Sequence, residues 1–192
     1  MKGITGFSTL ALLTIGMSAY AAGPRTDEVV DRDVNQQERI EQGLQSGQLN
    51  TREAGRLEQQ EARIDRTEAR DLKDGKLSPQ EQARINRMQN RESQNIYRQK
   101  HDGQTGNPDS RSSERMQADV ARNVHQEQRI DQGIDNGTLT NREVGSLERG
   151  QSHVDRREAA AARDGHVGPR EQASVQRAEN HQSRRIHRRK AG

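Results

Sequence analysis

Large apolar residues are sparse along this chain, but where they occur they keep helical spacing. Ile40 and Leu44, Leu57 and Ile64, Ile85 and Met88, and later Ile130 and Ile134, Leu147 and Val154, stand three, four or seven positions apart. That spacing puts each pair on one face of a helix. Between these stretches lie four turns of one design. Ser46-Gly47, Asp74-Gly75, Asn136-Gly137 and Asp164-Gly165 supply a glycine where a helix can end in the left-handed conformation. Asn50-Thr51-Arg52-Glu53, Ser78-Pro79-Gln80-Glu81, Thr140-Asn141-Arg142-Glu143 and Gly168-Pro169-Arg170-Glu171 then resemble capping boxes that open the next helix. The pattern predicts helices over 27–45, 51–72, 79–99, 114–135, 141–162 and 169–189, an all-α chain.

The second three predicted helices restate the first three. Shifting the sequence by 90 positions aligns 34–102 with 124–192 without a gap, and roughly 29 of the 69 aligned residues are identical, too many for chance. The expected architecture is a tandem duplication of a three-helix unit with EF-hand-like helix-turn-helix turns. Residues 22–100 would form one repeat and 114–192 the other. Between them 101–113, with Gly103, Gly106, Asn107 and Pro108, has the composition of a flexible linker.

Composition tempers this picture. Charged residues make up 32% of the chain and hydrophobic ones 27%, with a net charge of +3. Beyond residue 21 there are roughly 23 Leu, Ile, Val and Phe in about 171 residues, little for a compact core. The abundant Glu, Gln, Arg and Ala are strong helix formers, so thin helices are expected rather than a coil. An isolated repeat would be marginal, and association between repeats or between chains would help it.

The first residues read as an export signal: Met1-Lys2, an apolar run through Leu10, Leu12, Leu13 and Ile15, then Ala19-Tyr20-Ala21. The expectation is a signal peptide over 1–21 and a periplasmic or secreted protein. No cysteine is present, so the fold must rest on packing whatever the redox state of the compartment.

Candidate chemistry begins at the turns. Asp74-Gly75-Lys76-Leu77-Ser78-Pro79-Gln80-Glu81 resembles the second half of an EF-hand loop, with glycine at the sixth position and Glu at the twelfth. The resemblance implies a weakly bound divalent cation held through Asp74, Glu81 and their counterparts Asp164 and Glu171. The first and third loop positions, which should bring carboxylates, hold Arg70 and Leu72, or Ala160 and Ala162. Capping alone accounts for the same residues. Leu49-Asn50-Thr51-Arg52-Glu53, Leu77-Ser78-Pro79-Gln80-Glu81 and Leu139-Thr140-Asn141-Arg142-Glu143 are similar to the motif of the periplasmic LTxxQ family of helical-hairpin chaperones and metal-stress proteins, with Glu in place of Gln. That resemblance implies a non-enzymatic, chaperone-like envelope-stress protein that meets a protein or envelope component.

Other features carry less. The six histidines fall at no ligand spacing on a shared helix face and are expected to be solvated. Arg184, Arg185, Arg188, Arg189 and Lys190 form a basic cluster suited to an anionic surface, or simply to a helix C-terminus. With Tyr97 the one aromatic left beyond the signal, no stacking platform for specific nucleic-acid binding exists. Asn90, Ser93 and Ile96, repeated as Asn180, Ser183 and Ile186, form a strip suited to close helix approach or to hydrogen-bonding a neighbouring helix. No nucleophile–base–acid set points to an enzyme and no cofactor is expected. The many carboxylates sit among arginines at helical spacing, which reads as solvated ion pairs. The sequence thus favours an exported helical binding protein, with divalent-metal binding or sensing as the alternative.

Overall fold

A computed structural model describes residues 25–192, so the export signal read over 1–21 lies outside the described residues. The described chain is all-α. Its helices are α1 (Thr26–Gln45), α2 (Thr51–Asp71), α3 (Pro79–Lys100), α4 (Arg111–Asp135), α5 (Asn141–Ala161) and α6 (Pro169–Lys190), with a short 3₁₀ turn at Leu72–Asp74 after α2. These fall within a few residues of the predicted bounds, the largest difference being α4, which starts three residues early.

Local chemistry sets the ends. Asn50 Oδ1 accepts the Glu53 amide at 3.0 Å while Glu53 Oε2 accepts the Asn50 amide at 3.0 Å, and Ser78–Glu81 and Thr140–Glu143 form the same reciprocal box. Gly168 has no side chain to offer, so only the Glu171 half forms, at 2.7 Å from the Gly168 amide. Gly47, Gly75, Gly137 and Gly165 have φ of 72°, 85°, 71° and 90°, the left-handed region that costs other residues steric strain.

The most extensive pairing is α2 with α5, followed by α1 with α4; α3 lies against α1 and α2, and α6 against α4 and α5. α2 and α5 run antiparallel, since Gly55 near the start of α2 meets Ala159 and Ala162 at the end of α5, and Gly145 meets Ala69 and Leu72 in the converse position. Ser152 Oγ donates to the Ala62 carbonyl at 2.7 Å near the middle of the crossing. A methyl group on Gly55 would stand 2.5 Å from Ala162 Cβ, and one on Gly145 2.8 Å from Leu72 Cβ. These glycines set how closely the two helices approach. Gly55→Ala is therefore expected to lower stability by about 1–3 kcal/mol although Ala is the better helix former, a loss read from the urea midpoint.

Buried apolar side chains form two clusters. One includes Leu57, Ile40, Ile96, Met116, Ala162 and Val175; the other includes Ile64, Leu72, Ile85, Ile130, Leu147 and Ile186. Each sits toward one end of the α2–α5 pair and draws on residues from both halves of the sequence. The association expected between repeats is thus internal, and neither half has a core of its own. The segment read as a flexible linker is also held. The Gly106 amide donates to the Gly47 carbonyl at 2.8 Å, and Gln117 Nε2 donates to the Pro108 carbonyl at 2.9 Å. Composition marks where a chain can turn but not whether a neighbour takes up the freed backbone groups.

Candidate functional site

Between the two apolar clusters the interior is acidic. Asp33, Glu58, Glu61, Asp65, Glu68, Glu92, Asp119, Glu127, Glu148, Asp155, Glu158 and Glu179 are all at most 3% exposed. This corrects the expectation that the carboxylates are solvated ion pairs. Of these twelve, Glu179 alone has an ion-pair partner among the described residues, Arg122 at 3.1 Å. The arginines beside them in sequence turn outward, while the acids occupy the positions an apolar stripe would normally fill.

The acids on α2 and α5 converge into two triads. One oxygen from each of Glu58, Asp155 and Glu158 lies within 4.8 Å of the others, and the same holds for Asp65, Glu68 and Glu148. Adding 90 to the numbers Glu58, Asp65 and Glu68 gives Glu148, Asp155 and Glu158, so the antiparallel crossing exchanges corresponding residues between two like sites. Oxygens bound to one calcium-sized ion at 2.3–2.6 Å can be no more than about 5 Å apart. Both triads fit within that limit. Asp65 and Asp155, one from each site, lie close enough for each carboxyl to act on the other, which makes the two sites neighbours.

Donors do not balance these acceptors. Both oxygens of Glu61 and Glu148, one oxygen each of Glu58, Asp65, Glu68 and Glu158, and the amide oxygens of Gln37, Gln89, Asn123 and Gln151 are buried without a hydrogen-bond partner among the described residues. Nearly every buried polar atom in a folded protein has one. What the interior lacks is positive charge or protons. Burial accordingly pushes the carboxyls up: Glu58 and Asp33 to about 7 and Glu92 to about 8. For Asp65 and Glu158, burial and then neighbouring negative charge hold the group well above the usual carboxylate range.

Three buried amides donate to the triads or to Asp33 beside them. Gln37 donates to Glu58 Oε2 at 3.0 Å, Asn123 donates to Asp155 Oδ1 at 3.2 Å and Glu158 Oε2 at 2.8 Å, and Gln89 donates to Asp33 Oδ1 at 2.7 Å. A side-chain rotation of 180° would present a carbonyl oxygen instead, adding a neutral ligand. The ligand set is wholly oxygen, without His or Cys, which suits hard cations rather than zinc or copper.

The four turn carboxylates proposed from sequence are not brought together. Asp74 Oδ1 accepts the Lys76 amide at 2.9 Å and Asp164 Oδ1 the His166 amide at 2.9 Å. Glu81 and Glu171 spend an oxygen on the helix starts, at 2.9 and 2.7 Å. Arg52 also donates to the Asp164 carbonyl at 2.6 Å, bringing a guanidinium against that turn. The basic cluster is likewise divided. Arg185 is half-buried and donates to the Ser146 carbonyl at 2.7 Å, Lys190 donates to the Arg129 carbonyl at 2.8 Å, and Arg189 pairs with Glu143 at 3.6 Å. Arg184 and Arg188 border a shallow surface hollow. All six histidines are exposed.

Of the two roles open to the polar strip, it takes the hydrogen-bonding one. Arg39 Nη1 donates to Ser93 Oγ at 2.6 Å and Arg129 Nη1 to Ser183 Oγ at 2.9 Å, while Arg32 and Arg122 reach Asn90 and Asn180. These bonds tie α1 to α3 and α4 to α6 on the outside of the acidic interior. Comparison with family models, with curated proteins and with solved structures finds no match to this chain.

Proposed function

We propose that the protein is a non-enzymatic binder of hard, multivalent cations, which it encloses between α2 and α5. The observation that carries the reading is the pair of buried triads, Glu58–Asp155–Glu158 and Glu148–Asp65–Glu68, whose oxygens are close enough to share an ion and short of donors. An unpaired carboxylate out of water is strongly unfavourable, and a bound cation offsets that cost. Because the ligands come from two helices of different halves, binding would clamp the halves together and be linked to folding. The export pattern in residues 1–21 supports a place of action in the periplasm or outside the cell.

The metal-binding alternative read from the sequence thus has more behind it than the chaperone-like one, though with different residues. Among the described residues Tyr97 is the only large hydrophobic side chain that is exposed, which leaves little apolar surface for an unfolded client. Equilibrium dialysis of the mature protein against calcium or manganese tests the proposal. Two ions bound per chain, with Asp74→Asn and Asp164→Asn leaving the count unchanged, is the expected result. No bound ion at millimolar concentration and pH 7.5 would defeat it.

A further inference from the structure

The two triads match in their carboxylates but not in the groups around them. Around Glu58, Asp155 and Glu158 the flanking helices bring amides: Gln37 from α1 donates to Glu58, and Asn123 from α4 donates to Asp155 and Glu158. At the corresponding positions around Asp65, Glu68 and Glu148 they bring acids. Asp33 from α1 replaces Asn123 and meets Glu68 carboxyl to carboxyl, and Glu127 from α4 replaces Gln37 and faces Glu148. Asp33 and Glu127 are 2% and 3% exposed, and neither has an ion-pair partner among the described residues. Glu127 Oε2 and Asp33 Oδ2 have no hydrogen-bond partner among the described residues, although Asp33 Oδ1 accepts from Gln89. Asn for Asp and Gln for Glu conserve shape, so the exchange alters charge and donors while leaving the packing alone.

The amides answer part of the negative charge of the first site with N–H donors, and their oxygens are neutral ligands. The second site gathers five carboxylates, those of Asp65, Glu68 and Glu148 with oxygens within 4.8 Å of one another; Gln89 donates to Asp33 at 2.7 Å but reaches the triad itself only at Glu68, at the long distance of 3.5 Å. Further out, Asp119 and Glu179 lie beyond Glu158 and Glu92 beyond Glu58 at the first site, with Glu179 paired with Arg122, while Glu61 lies between the two sites and acts on both. At low effective dielectric the attraction of a site for an ion grows with the product of their charges.

Resting on the cation-binding reading above, we infer that the two sites are unequal, the Asp65–Glu68–Glu148 site with Asp33 and Glu127 filling first and preferring a trivalent cation, the Glu58–Asp155–Glu158 site taking a divalent one. The probe is europium(III), a hard trivalent ion of nearly calcium size, followed by direct-excitation luminescence during titration of the mature full chain, with calcium as competitor. Two bound ions are expected, in steps at least about tenfold apart in Kd, with calcium displacing the weaker one more readily. Asp33→Asn with Glu127→Gln gives the second site the surroundings of the first and should weaken the tight step about tenfold or more, sparing the weak one. Asn123→Asp with Gln37→Glu should strengthen the weak step. Two equal steps in the unaltered chain, or a tight step indifferent to the first pair of substitutions, overturns the inference while leaving the cation-binding reading in place. Failure of both europium and calcium to bind overturns both.

Discussion

In chelator the protein is expected to be most stable in mild acid and to lose stability as the pH rises from about 5 to about 8. The sign follows from the direction of the shifts. Asp33, Glu58 and Asp119 are pushed up to about 7, and Glu92 and Glu179 to about 8, in each case first by burial. Between the ordinary carboxyl value near 4 and these raised values the folded chain holds protons that the unfolded chain has released. Stability therefore falls with pH across that window, by about 1.4 kcal/mol per pH unit for each group that behaves independently. Several groups sharing one interior make the total effect several kcal/mol. A hard cation should reverse it, raising the melting temperature strongly at pH 8 and little at pH 5, where protons already occupy the carboxyls. Circular dichroism melts at pH 5, 6, 7 and 8, with chelator and then with calcium, read this out. Stability in chelator that increased with pH over the same range would show that the acids are not buried uncompensated.

The second large effect concerns the triads themselves. Glu58→Gln combined with Glu148→Gln takes one carboxylate from each site at nearly constant shape. In chelator at pH 8 this variant should be more stable than the unaltered chain by about 1–4 kcal/mol, because a buried charge without a partner is replaced by a neutral group. Its affinity for calcium or manganese should drop by a factor of about 100 or more, measured by calorimetry. The two changes run in opposite directions, which a purely structural role for these residues does not produce. A variant destabilised in chelator yet unaltered in cation binding would mean that Glu58 and Glu148 serve packing alone.

The helices were legible because their signals are local. The cap at Ser78–Pro79–Glu81 and the turn at Gly75 act within a few residues, and the structure realises both. The acidic interior is hidden from composition and neighbouring charge, though its signal is present. Glu58, Glu61, Asp65, Glu68 and Leu72 follow a 3-4-3-4 spacing, as do Glu148, Gln151, Asp155, Glu158 and Ala162. That is the spacing of a core stripe, filled here with acids. Charged residues at such positions are ordinarily solvated, and the neighbouring Arg63, Arg66 and Arg70 made that reading natural. Identity of the acids between the two halves, at 58 and 148, 65 and 155, 68 and 158, was the stronger clue. The pairing of α2 with α5 lay beyond reach, because periodicity gives each helix a face without naming the helix that meets it. The turn carboxylates drew notice for their likeness to an EF-hand loop, where backbone amides in fact use their oxygens.

The measurement closest to the central claim is anomalous diffraction from crystals of the mature protein grown with terbium or manganese. Two anomalous peaks are expected between α2 and α5, one within about 2.6 Å of oxygens from Glu58, Asp155 and Glu158 and one equally close to Asp65, Glu68 and Glu148. Peaks confined to Asp74, Glu81, Asp164, Glu171 or other surface carboxylates, with an interior free of metal at saturating concentration, would contradict it.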